Sequence, residues 1–436
     1  MSTKKFFITL CSSLLILSVG FIAFKQRTAH PVHECDNIFA YVYPTFKLQL
    51  LSTLKSDTDL DKNHSKLAHA LLTPLAELRS YHENWVVALR HHIKEKKAEQ
   101  GALTQRLSSW LFLESDLGEA MQAFLNGKYP FPPYHAQFGN LIKNYHQEIF
   151  NDKTLFNPYK MPPFSDEFGY GNLPSYLFSL SDTRVIRTPN CAKDISPLKA
   201  FFLRPEEGVQ EEFFEYITHL NHRRHVYVNL MKRHGKEGQK SVQLEQFEHS
   251  HPSLILVTLD KDSDFYWQNA QYNEQNDTSE FKVSFLRHLF MKNGPYYWSK
   301  KLDESTWEKT WSEIIGHVQE TYFDKKNTLS KQERQDFIEL CYLEFTHYLI
   351  NHFQPLSINL SCKQSMDRGP SLTALLFAEE LIKQQRLEQQ YQKLLTMLFA
   401  PPILVHNRHS HTSRIDRFVS AFEHIKQYHE NKNNPI

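Results

Sequence analysis

The residues with the clearest capacity for chemistry lie together: Cys362, Lys363, Gln364, Ser365, Met366, Asp367 and Arg368 place a thiol and a guanidinium six positions apart. The spacing alone is a weak signal, and context strengthens it. Cys362 follows Leu356-Ser357-Ile358-Asn359-Leu360, a short apolar run that reads as a strand. A helix is expected from Ser371 to Gln385, with Pro370 suited to its first turn. A loop of this length between strand and helix can curl so that successive N–H groups converge on a tetrahedral anion. Arg368, planar and permanently charged, can grip two oxygens of such an anion at once. The same positive field favours the ionised form of the Cys362 sulfur, the form that attacks phosphorus.

A displaced alkoxide needs a proton, so the site requires an acid. The loop Asp260-Lys261-Asp262-Ser263-Asp264 follows a second apolar run, Leu254–Leu259, and belongs at the same sheet edge as Cys362. Asp264 is the first choice there, then Asp262, with Asp367 inside the Cys–Arg loop as a rival. Lys363, Gln364, Ser365, Met366 and Gly369 complete the expected substrate-binding loop, and Lys363 suits a polyanionic ligand.

The loop resembles that of the Cys-x5-Arg phosphatase superfamily. Its Cys-Lys-x-x-x-Asp-Arg form is similar to phosphoinositide phosphatases, including inositol-polyphosphate 4-phosphatases and bacterial effector enzymes. The stretch His225 to Gln268 is also similar to that group in its order of strand, charged helix, strand and Lys-Asp-x-Asp-Phe-Tyr. The resemblance covers about residues 211–378. It implies a protein-tyrosine-phosphatase-like fold, a phosphocysteine intermediate, a phosphoinositide or other phosphorylated substrate, and no cofactor. Many relatives carry Thr or Ser directly after the arginine, where Gly369 stands here; Ser371 or Thr373 are the substitutes in reach. The loop interior also lacks glycine. Both departures leave a second reading open, a catalytically inactive membrane-anchored module that binds phospho-ligands or proteins.

The elements that would position this loop follow from hydrophobic pattern. After Pro205, short apolar runs (His225–Leu230, Leu254–Leu259, Leu356–Leu360) alternate with helical stretches, among them Phe281–Met291 and Gln332–Phe353. Continuous apolar runs separated by helices require a mostly parallel sheet covered on both faces, hence an α/β domain over 205–436. Residues 31–204 read as a helical and irregular region: helical spacing of Leu67, Leu71, Leu75 and Leu78, then Pro, Tyr, Phe and Gly between Lys128 and Leu203.

The first 30 residues form a segment of their own. Lys4 and Lys5 precede a nearly uncharged run from Phe6 to Phe24, long enough to span a bilayer as a helix. A retained single-pass anchor is expected, with a cleaved signal peptide and secretion as the alternative.

The remaining features exclude more than they suggest. Fifty basic against 49 acidic residues give +1, so bulk charge does not point to nucleic acid. Five cysteines without a Cys-x-x-Cys exclude a disulfide scaffold and a thiolate zinc site. The histidine groups 219/222/225 and 406/409/411 lack a His-Glu-x-x-His pattern, and no metal is expected. The second group, with Arg408 and Arg414, reads as an exposed turn; a cationic loop beside the phosphate site is the alternative.

Overall fold

The computed structural model describes residues 121–122, 125–155, 175–193, 195, 204–218, 220, 222–406 and 408–433. In chain order the elements are α1 (Phe138–Phe150), β1 (Ser175–Leu180), β2 (Thr183–Arg187), α2 (Glu211–Thr218), β3 (His225–Asn229), α3 (Gly235–Ser250), β4 (Leu254–Thr258) and α4 (Asp264–Trp267). Then follow α5 (Thr278–Leu289), α6 (Glu304–Tyr322), α7 (Lys331–Phe353), β5 (Ser357–Ser361), α8 (Arg368–Lys383), α9 (Leu387–His406) and α10 (Thr412–Asn433).

The strands form one sheet in the order β1-β2-β5-β3-β4, so the fold is α/β with a mostly parallel sheet. Only the edge hairpin β1/β2 is antiparallel; β2/β5, β5/β3 and β3/β4 are parallel. The last strand in sequence is thus the middle one in space. Its five residues are all buried, as are those of β3 and β4. Ile358 and Leu360 join Val226, Val228, Ile255 and Val257 in the larger core, under α7 and α8. The other face packs Tyr227, Leu254 and Leu256 against Phe213 of α2 and Leu244 and Phe247 of α3.

Beneath that second layer runs a polar chain that fixes the register of β5. Tyr216 and His225 Nδ1 meet Ser357 Oγ at 2.6 and 2.8 Å, His225 Nε2 meets Asn359 Oδ1 at 3.0 Å, and Asn359 Nδ2 donates to Thr188 Oγ1 at 2.7 Å. Burial pushes the His225 imidazole down to about 4, so it is neutral at pH 7 and one ring nitrogen donates while the other accepts. A one-residue slip of β5 would turn Ile358 and Leu360 into this polar layer and break every bond in it. His222 of the same histidine group is exposed, and His219 lies outside the described residues. Among the described residues no group of three potential ligands comes together for a metal.

Two expectations need correction. The sheet does not begin after residue 205: β1 and β2 lie before it, and β2 pairs directly with β5 through Arg184↔Ser357, Val185↔Ile358 and Ile186↔Asn359. The region preceding 205 also supplies α1, whose Phe138, Leu141, Ile142 and Tyr145 are buried in the main core alongside Phe418 and Phe422 of α10. The expected irregular wrapping segment therefore contains both a helix and the sheet's edge. The proposed anchor at residues 1–30 lies outside the described residues; within them no helix is long and apolar enough to cross a membrane.

Candidate active site

Asn229, Thr258 and Ser361 pair across β3, β4 and β5, so three parallel strands end level. Cys362 is the next residue, at the carboxyl edge where open α/β sheets hold their ligands. It is 5% exposed, at the floor of a loop rather than on its rim.

The loop is held from outside by its carbonyls. Ser365 N–H donates to Cys362 O at 3.2 Å, and Ser365 takes a left-handed φ of 50°, which closes the turn without glycine. Asn190 N–H donates to Lys363 O at 3.2 Å. Arg187, at the end of β2, donates Nη2 to Gln364 O at 3.2 Å and Nε to Ser365 O at 3.1 Å. Three successive carbonyls, those of Lys363, Gln364 and Ser365, are thereby bound by donors from outside the loop, and the Cys362 carbonyl closes the turn within it. Among the described residues the N–H groups of Lys363, Met366, Asp367 and Arg368 have no protein acceptor.

Helix α8 starts at Arg368 itself, three residues earlier than the pattern predicts, with Asp367 at its N-cap position. The helix N-terminus therefore abuts the loop. Arg368 reaches back across β5: Nη1 donates to Leu230 O at 3.0 Å and to Glu237 at 2.9 Å, and Nη2 donates to Glu237 at 2.6 Å. Burial works against its charge, but Glu237, the Cys362 sulfur and Asp262 outweigh that and hold the guanidinium above its ordinary range. For Arg187 burial dominates and pushes it down to about 10, with Cys362 acting in the opposite direction; it is still charged at pH 7. Two guanidiniums thus share the electrostatic environment of one sulfur. Glu237 itself resists burial through Arg368 and the Lys232 N–H, and stays below the usual carboxylate range.

The three acid candidates separate clearly. Asp367 is clamped by Arg408 at 3.0 and 2.5 Å and accepts the His411 N–H at 3.3 Å. Burial alone would raise it, yet Arg408 and His411 hold it below the carboxylate range, so it fixes the loop and is not disposed to donate a proton. Asp264 is exposed at the first position of α4. Asp262 is half-buried, its carboxylate within 3.2 Å of both Lys232 Nζ and Arg414 Nη2, and its charge acts on Arg368 and Glu237. Asp262, not Asp264, is thus paired with cations of the neighbouring segments.

The turn around Arg408 is also corrected. Rather than a detached exposed turn, it packs on the loop through the Asp367 clamp, and Arg414 continues the same wall, stacked 4.5 Å from the Trp267 ring. Lys232 and Arg414 thus meet on Asp262, and Arg408 meets Asp367 within the loop. No family model, no curated protein and no solved structure matches the chain.

Gly369 has a steric reason. A Cβ there would lie 2.5 Å from Leu360 O and 2.8 Å from Ser365 Oγ, and the first of these is strand backbone that cannot move aside. The hydroxyl of the substitute Ser371 bonds back to Arg368 O at 3.3 Å, and Thr373 is buried further along the helix. Ser365 Oγ, by contrast, is buried with no partner among the described residues. A hydroxyl thus stands inside the loop, beside the space that a side chain after the arginine would need. Gly369→Ser is expected to cost about 1–3 kcal/mol in urea unfolding through overpacking against β5, and to weaken phosphate binding in the same variant.

Arg187 and Glu237 are functional candidates that sequence reasoning does not single out. The first ends Thr-Arg-Val-Ile-Arg, a short β-rich run inside a Pro- and Tyr-rich stretch; the second sits one turn into a charged helix.

Proposed function

We propose that this protein is a cysteine-dependent phosphatase that hydrolyses phosphate monoesters, with phosphoinositides as the favoured substrate class and a protein-tyrosine-phosphatase-like catalytic domain. The observation that carries this reading is the loop at 362–368, whose carbonyls at Lys363, Gln364 and Ser365 are bound by Asn190 and Arg187 from outside while Arg368 is held by Glu237 and Leu230. Bound phosphate would accept from the loop N–H groups, the α8 N-terminus and Arg368. The Cys362 sulfur attacks phosphorus; the bond to the ester oxygen breaks, and that oxygen takes a proton from Asp262. Water then attacks the phosphocysteine with the Asp262 carboxylate as base, returning the thiolate and inorganic phosphate. Fixed donors aimed at the developing charge supply most of the expected acceleration.

Lys232, Lys363 and Arg414 around the cup favour a ligand with more than one anionic group, which fits a phosphoinositide headgroup. A membrane anchor at residues 1–30 would hold the site at its lipid substrate. The inactive-module reading has one observation in its favour, the lack of room for a hydroxyl-bearing side chain at position 369. The test is phosphate release by the full chain from an aryl phosphate and from a phosphoinositide panel. Release supports turnover; tight lipid binding without release supports the inactive module.

The acid assignment has its own test. Asp262→Asn is expected to slow alkyl ester hydrolysis by about 10²- to 10³-fold. The loss should be much smaller on an aryl phosphate, whose phenolate leaves without full protonation. Asp264→Asn should leave both rates near the parent values. The reverse pattern would return the role to Asp264.

A further inference from the structure

The opposite edge of the sheet holds a second charged site. Where β2, β3 and β5 begin, a cavity of about 890 Å³ opens between the β1–β2 turn, the approach to β3 and the last turn of α7. Its volume falls within the range of small-molecule sites, roughly 300–1,000 Å³. Arg184, Arg223 and Arg224 line it and are exposed, and among the described residues Asp182 is the one acidic lining residue.

The placement of these arginines is fixed by the sheet. Arg184 N–H donates to Leu356 O at 3.0 Å, and Leu356 N–H donates to Arg224 O at 2.8 Å, so the two flank the start of β5 on either side. Strands that flank a common neighbour lie about 10 Å apart, twice the ~4.8 Å strand spacing. The Arg224 guanidinium also rests 5.7 Å from the Phe353 ring centroid, which orients it while leaving its in-plane donors for a ligand. Three arginines around one cavity supply more donors and more positive charge than a single phosphate takes up, and a ligand with phosphates on several positions of a ring matches them. We propose that this pocket binds a multiply phosphorylated small molecule or headgroup. It is a site distinct from the Cys362 cup, from which it is separated by the length of β5, about 15 Å at ~3.3 Å per residue. A single headgroup therefore does not occupy both, and the inference does not depend on catalysis at Cys362.

Calorimetry on the full chain carrying Cys362→Ser tests it, with inositol hexakisphosphate as the soluble probe. Flotation with phosphatidylcholine vesicles containing a phosphatidylinositol bisphosphate serves as the lipid probe. Binding is expected that Arg223→Ala/Arg224→Ala weakens by about a hundredfold and Asp182→Asn tightens, with unchanged thermal unfolding. Binding of the soluble probe alone would assign a free ligand, and binding of both would assign a headgroup. If neither probe binds, or the double variant binds as the parent does, the proposal is overturned. A binding event lost in Arg368→Ala but kept in the double variant belongs to the cup, so failure of the phosphatase reading remains distinguishable.

Discussion

Cys362→Ser is expected to reduce phosphate release from aryl phosphate and phosphoinositide alike by more than about 10⁴-fold, the scale on which loss of a nucleophile is felt. A serine hydroxyl in the same cup is not ionised by the surrounding charges at neutral pH, so the attacking atom is lost. The surroundings stay intact. Cys362 is small, 5% exposed, and its backbone is fixed by the Ser365 turn, so the unfolding midpoint should change little and phosphate affinity should persist. Release surviving this substitution would remove the covalent route. Colourimetric phosphate assay and calorimetric binding on the same sample separate the two outcomes.

Arg368→Lys carries the second large effect. Lysine keeps the charge but forfeits the planar fork that spans Glu237 and Leu230 O and that would receive two phosphoryl oxygens. An arginine that stabilises phosphoryl-transfer charge is worth about 10³- to 10⁵-fold, and a loss of about 10³-fold in kcat is expected here because charge is retained. KM should rise less, since the loop N–H groups and α8 still bind ground-state phosphate. A variant with unaltered kcat would show that the guanidinium serves only to tie α8 to the β3–α3 connection.

The fold around Cys362 is legible in sequence because its strands are buried on both faces. Leu254–Thr258 and the apolar residues of β3 and β5 cannot be surface segments, and the helices between them follow from period. The hairpin β1/β2 is another matter. It lies at the edge, alternates irregularly, and is interrupted by a bulge near Tyr176 and a turn at Ser181, so its short runs look like the Pro-rich loops beside it. The change of composition at Pro205 marks a connection rather than a boundary.

At the site, the Cys–Arg spacing points to one continuous loop between β5 and α8, because both residues belong to it. Its partners come from elsewhere in the chain, and spacing says nothing of them. Arg408 meets Asp367 across 41 residues and Arg187 meets Gln364 across 177. The choice between Asp262 and Asp264 depends on local folding after β4. The Asp260 carboxylate accepts the N–H groups of Asp262 and Ser263, and Ser263 Oγ caps α4 at Tyr266 N–H, turning Asp262 toward Arg414 and leaving Asp264 in solvent.

The most direct measurement of the central claim is alkylation of the native chain by iodoacetate at neutral pH, read cysteine by cysteine by mass spectrometry with and without inorganic phosphate. Cys362 should react ahead of the wholly buried Cys191 and Cys341, and phosphate should protect it, with protection lost in Arg368→Ala. Reaction at Cys362 that phosphate leaves unchanged, or a Cys362 as inert as the other two, would contradict an anion-binding cup built around that sulfur.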